Sequence, residues 1–225
     1  MKLRKITFAT FLLTLCTFPV FAQFSIGVRG GIHLGDFALK NVEGFATNPE
    51  SRTGPLFGVV SEIRVNDHFA IQPELNFIQK GSRQEFSLND SLFGNIQAKA
   101  EVILNYLELP VLLKVGGDLG TMLRVDALAG PAVGYGLNGK FKNVSTVNGE
   151  TESEEESIDF DKDELSRTDF SIHVGGMLTL KAGERAKVFV DGRYIIGLTN
   201  LNTSSEDNEA RNRGGSFSAG VMFTL

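Results

Sequence analysis

Eight segments that alternate apolar and polar residues are joined by connections that run long, short, long, short to the end of the chain, and that rhythm limits what the chain can fold into. The segments lie near residues 24–36, 54–65, 68–80, 101–115, 122–137, 168–181, 187–197 and 214–225, and a period of two marks strands. Long connections follow the first, third, fifth and seventh segments, at 37–53, 81–100, 138–167 and 198–213. Short ones follow the others: "VNDH" (65–68), "GGDLGT" (116–121) and "KAGERA" (181–186). In an up-and-down ring every long connection then leaves from one rim and every short turn from the other. No segment has a helical period, and no internal repeat stands out.

Short turns at one rim and long loops at the other characterise barrels of the bacterial outer membrane. The expected fold is therefore all-β, an eight-stranded antiparallel up-and-down transmembrane β-barrel. A soluble, lipocalin-like barrel is the strongest competitor, because it also has eight strands. The two differ in which face meets the outside. In "AIQPELNFIQKG" (70–81), Ile71, Leu75 and Phe77 share one side, and Gln72, Glu74 and Asn76 share the other. A membrane barrel turns the first row to lipid and the second inward. Followed through all eight strands, the inward row collects Arg29, Glu62, Arg64, Glu74, Glu108, Lys114, Arg124, Asp126, Asp169, Asp191 and Arg193. Five cations against six anions is the balance that a narrow lumen requires, since an unpaired buried charge costs several kcal/mol. The opposite rows are continuous and apolar, as in Leu107, Leu109, Val111, Leu113 and Val115. Pro73 lacks an N–H and predicts a local break or bulge in its ladder.

Residues 1–22 carry Lys2, Arg4 and Lys5, then an apolar run that ends in Val20-Phe21-Ala22, the pattern of a secretory signal cut after Ala22. The barrel domain is then 23–225. A lipoprotein signal acylated at Cys16 is disfavoured by the bulky Leu15 before it. Cleavage at Ala22 removes the only cysteine, so no disulfide is expected. It also removes three positive charges, which takes the formal net charge from −5 to −8. Nucleic acid is excluded as a partner on that balance.

The ordered set "QPELNFIQKG" (72–81), "NYLELPVLLKV" (105–115), "GPAVGYGL" (130–137), "VFVDGRYIIGLTNL" (188–201) and "GVMFTL" (220–225) resembles the PorT-like group of outer-membrane β-barrel proteins, from about Phe24 onward. The resemblance implies an eight-stranded outer-membrane barrel. Some members similar to this group are tied to protein secretion, and no catalytic signature carries over.

Other constellations read more plainly as structure than as chemistry. "DFSIHVG" (169–175) puts Asp169, Ser171 and His173 on one inward row, but in the wrong order for a triad, which needs His between the other two. "GETESEEESIDFDKDE" (149–164) holds nine carboxylates against Lys162 alone. Glu164 and Phe170 stand where a calcium loop needs Gly and Glu, so a solvated, self-repelling and largely disordered external loop is expected. His33 and His173 point inward from strands that are not neighbours. Arg52, Lys80, Lys99, Arg167, Arg211 and Arg213 flank the outer rim, either as contacts to lipopolysaccharide phosphates or, at least as readily, as ordinary interfacial basic residues. No catalytic, cofactor or metal site is read from the sequence. The function expected is a non-enzymatic outer-membrane barrel with a charge-paired, plugged lumen, surrounded by lipid and lipopolysaccharide. Its long external loops would bind an envelope protein or surface component. The alternatives are a narrow channel or carrier for small solutes, and a soluble secreted lipid-binding barrel.

Overall fold

Alternation along each strand sorts the side chains into two shells. On the strand that contains 105–115, Leu107, Leu109, Val111, Leu113 and Val115 are 40–48% exposed, while Tyr106, Glu108, Leu112 and Lys114 between them are at most 1% exposed. The computed structural model describes residues 23–40, 49–90, 94–148, 150–203 and 208–225, and the side chains of these except 88–90 and 94–96. The expected leader, 1–22, lies outside the described residues.

The described residues form nine strands: β1 (Gln23–Lys40), β2 (Glu50–Arg64), β3 (Phe69–Asp90), β4 (Gly94–Leu119), β5 (Leu123–Val147), β6 (Glu150–Ile158), β7 (Thr168–Ala182), β8 (Ala186–Gly197) and β9 (Glu209–Thr224). Antiparallel pairing runs β4-β3-β2-β1-β9-β8-β7-β5, and β4 with β5 closes the ring. The fold is thus the all-β up-and-down barrel, with eight strands around the ring. Closure through the first and last strands is long, from Ser25↔Thr224 to Lys40↔Glu209.

Short turns have local causes. Asn66 Oδ1 accepts from the backbone N–H groups of His68 and Phe69, both at 2.9 Å, which closes the β2–β3 turn as an Asx motif. Gly120 and Gly183, at φ 74° and 91°, supply the left-handed residues of the β4–β5 and β7–β8 turns.

Two expected loops are strands instead. Pairing of β3 with β4 continues without a register change from Gly81↔Ile103 to Asp90↔Gly94. The acidic segment, expected to be disordered, forms β6 and pairs with β5 from Gly139↔Ile158 to Val147↔Glu150. Lys140 and Lys142 lie 3.5 and 3.4 Å from Glu155 across that ladder. β6 occupies, beside the outer half of β5, the place that β7 occupies beside its inner half. The physical reason for both corrections is the same: beyond the membrane both faces of a ribbon are wet, so the apolar half of the alternation vanishes while the backbone ladder persists. At Pro73 the β2–β3 ladder breaks as expected, its partners passing from Val60↔Glu74 to Ile63↔Ile71 in unchanged register and so without a bulge, and Ser61 Oγ donates to the Pro73 carbonyl at 3.0 Å.

Candidate functional site: a tiered charge network inside the barrel

Inward-facing charged residues on seven of the eight ring strands meet in three tiers along the barrel axis. At the short-turn end, Glu62 (β2) lies 2.6 Å from Lys114 Nζ (β4) and 3.0 Å from Lys187 Nζ (β8). Asp126 is 2.8 Å from Arg124 and 3.5 Å from Lys114. Arg124 Nη1 also donates to the Asp67 carbonyl at 2.7 Å, which ties the tier to the first short turn. Arg64, 3.4 Å from Glu62, is only partly buried and marks the rim.

The middle tier is a balanced quartet. Glu74 (β3) receives Arg29 Nη1 (β1) at 2.5 Å and Arg193 (β8) through Nη1 and Nη2 at 2.9 and 2.7 Å. Gln72 and Asn76 amides donate to the same carboxylate at 2.7 and 2.9 Å. Asp191 lies 3.1 Å from Arg29 and 2.7 Å from Arg193, and Ser218 Oγ donates to its other oxygen. All four charged side chains are at most 1% exposed. The two-pronged Arg193 contact is the fork geometry that makes Arg the preferred partner of a carboxylate.

The third tier centres on Lys80. Its Nζ sits 2.7 Å from Glu108 and 3.0 Å from Asp169, and 5.2 Å from the centre of the Tyr106 ring. Asn212 donates to Asp169 at 2.9 Å, and His173 Nε2 lies 3.5 Å from Glu108. Between the lowest and middle tiers, Val60, Leu112, Leu128, Met177, Phe189 and Met222 fill the section with hydrocarbon.

Ten of the eleven charged residues assigned to the lumen by alternation are buried, with Arg64 at the rim. Lys80, assigned to the outer rim, is instead fully inside. Lys187 joins the interior as well, and the imidazoles of His33 and His173 lie inside as expected. Lys80 and Lys187 carry the inward parity of Glu74 and Asp191, and parity alone would have found them. They escape notice because each stands beside a turn-like Gly or Ala. The remaining rim cations all have acidic neighbours: Arg52 and Lys99 with Glu101, Arg167 with Asp161, Arg211 with Glu209, and Arg213 with Asp36. Among the described residues Ser171 Oγ finds no hydrogen-bond partner, while Asp169 is engaged by Lys80 and Asn212. The Asp169–Ser171–His173 row is therefore not assembled as a nucleophile and its base.

A family model described as "Outer membrane protein beta-barrel domain" matches residues 21–202. The chain belongs to that family. Its location is accordingly the outer membrane, and the rows headed by Ile71 and Leu107 face lipid. Solved barrels resemble this outer-membrane protein at low identity. Neisserial surface protein A shares 12% of residues, with 90% of this chain and 97% of that one covered and a TM-score of 0.44. A major outer membrane protein from Thermus thermophilus shares 10%, covering 91% and 100%, at 0.46. Ail, the attachment invasion locus protein of Yersinia pestis, shares 14%, covering 90% and 99%, at 0.38. No curated protein matches the sequence.

Proposed function

We propose that this outer-membrane barrel is a non-enzymatic binding protein with a closed lumen, whose external strand extension holds a partner or surface component of the cell envelope. The observation that carries the reading is the union of two features in one molecule. Three tiers of ion pairs cross-link β1, β2, β3, β4, β5, β7 and β8 through the interior. Beyond them, β3 to β6 continue as paired ribbon. From Leu107 to Gly94, β4 alone extends about 40 Å past the start of its lipid-facing row at the usual rise per residue. A barrel of eight strands has an interior that side chains can fill, and paired charges at low dielectric resist opening because separating them strands each one. A long ordered extension on a closed support favours recognition over passage. The finer resemblance to PorT-like proteins agrees with an envelope role and adds no ligand.

Two measurements test the reading. Planar-bilayer recordings of the pure protein should show no large, steady conductance; finding one would promote a narrow channel for small solutes. Envelope extracts passed over immobilised wild-type protein, and over a form with the β5–β6 hairpin trimmed, should leave a component retained only by the wild type. Identical retention would sink the binding role of the extension.

A further inference from the structure

Above the Lys80 tier the barrel interior changes character. Leu56, Ile78, Leu104, Phe160, Ile195 and Leu201 are buried together there. Phe160 meets the Tyr106 ring edge-on, 5.7 Å between centres and at 72°, so carbon covers the charged tier from its outer side. On that floor lies a cavity of about 310 Å³, walled by Phe37, Leu39, Val102, Phe141, Ile158 and Leu165. These walls come from β1, β4, β5 and β6 and from the segment that leads to β7. Neither the ion-pair tiers nor the lipid-facing rows use this chamber.

The surroundings select the guest. An ionised guest would need a counter-charge, yet among the described residues the cations next in sequence to the cavity lining are already matched. Arg83 lies 3.1 Å from Glu50, Lys99 2.8 Å from Glu101, and Lys40 3.2 Å from Glu209. Polar groups bordering the cavity are a hydroxyl and amides, those of Ser82, Gln84, Asn202 and Asn208. The volume is about twice the ~150 Å³ apolar cavity that accepts benzene and stands at the small end of the range for ligand pockets.

We propose that the outer chamber is a binding site for a small, uncharged, mainly hydrophobic molecule of the medium-chain alcohol class, its hydrocarbon on the Leu104–Leu201 floor and its neutral polar end toward Ser82 and Asn208. The guest enters and leaves by the outer mouth, a statement that rests on the closed lumen proposed above.

A diazirine-bearing octanol tests this on the protein in lipid bilayers, with sites of photolabelling mapped by mass spectrometry. Labelling of Phe37, Leu165 or Leu201 should saturate and be competed by unlabelled octanol. Labelling of lipid-facing residues such as Phe57 and Leu109 should rise with dose and resist competition. Ala100→Phe and Ala210→Phe, which add bulk at the cavity wall, should abolish the saturable component while heat-modifiable migration on gels shows each barrel folded. Labelling confined to the lipid face, or cavity labelling that neither saturates nor responds to both filling variants, would overturn the proposal. Conductance recorded from the same preparation reads the closed lumen separately, so a leaky barrel and an empty chamber are distinguishable results.

Discussion

The middle tier permits a test by charge balance. Arg29, Glu74, Asp191 and Arg193 form two cations against two anions, with side chains that solvent barely reaches. Glu74→Gln keeps the volume but leaves two guanidiniums facing only Asp191. Arg193→Met leaves two carboxylates facing only Arg29. Each strands one buried charge, and breaking a buried pair from one side costs about 3–5 kcal/mol. The double variant restores balance, because Arg29 and Asp191 remain as a pair 3.1 Å apart. Its cost should therefore be no more than that of either single variant, giving a coupling of about 3 kcal/mol against simple addition. The assay is urea unfolding in phospholipid vesicles, read as the shift between folded and unfolded gel bands, since the chain has no Trp to report by fluorescence. Single variants that cost under about 1 kcal/mol, the range of solvated pairs, would show a wet interior. A double variant additive within about 0.5 kcal/mol would refute the charge-balance reasoning.

Lys80→Met should destabilise the barrel by about 3–5 kcal/mol in the same assay, because Glu108 and Asp169 lose their shared cation. At the short-turn rim, the hydrogen bond from Lys181 at 2.7 Å holds the Asp118 carboxyl below its ordinary 3.8. A lowered folded value means stabilisation that is present above the unfolded value and lost as pH falls through the folded one. Asp118→Asn should thus cost about 0.2–1 kcal/mol near neutral pH, this pair being over a third exposed, and nothing in strong acid; a difference that grows on acidification would reverse the sign. Replacing residues 144–153 by a short turn should leave folding and heat-modifiable migration intact, because among the described strands β6 pairs with β5 alone; failure to fold would make the hairpin part of the barrel itself.

Strand alternation makes the membrane section of this fold readable, since one-dimensional parity decides which side chains see lipid and which see each other. Arg29, Glu74 and Arg193 fall inward on that rule alone. Which partner each one finds is a different matter. Glu74 lies 119 residues from Arg193, and their meeting depends on strand stagger around the closed ring, which parity does not contain. Outside the membrane the rule fails for another reason. "ETESEEESI" (150–158) has neither an apolar row nor low charge, and its strand is set by the β5 backbone beside it. The outer chamber was hidden in the same way: Phe37, Val102, Phe141 and Ile158 are unremarkable singly and converge only through the ribbon extensions.

The pairing of β1 with β9 bears on how the molecule is made. Ser25 has Thr224 as its register partner, so this seam joins residues 199 positions apart in the sequence. Until the final strand is available, both the β1 edge and the β8 edge carry unsatisfied backbone donors and acceptors, which hydrocarbon does not tolerate. Insertion is then bound to completion: a chain cut short before β9 has no partial barrel to settle for. Of all the strand pairings in the ring, this seam closes the longest loop, which places it late in folding. The strand that carries "GVMFTL" (220–225) thereby closes the last pair of open ladder edges in the ring.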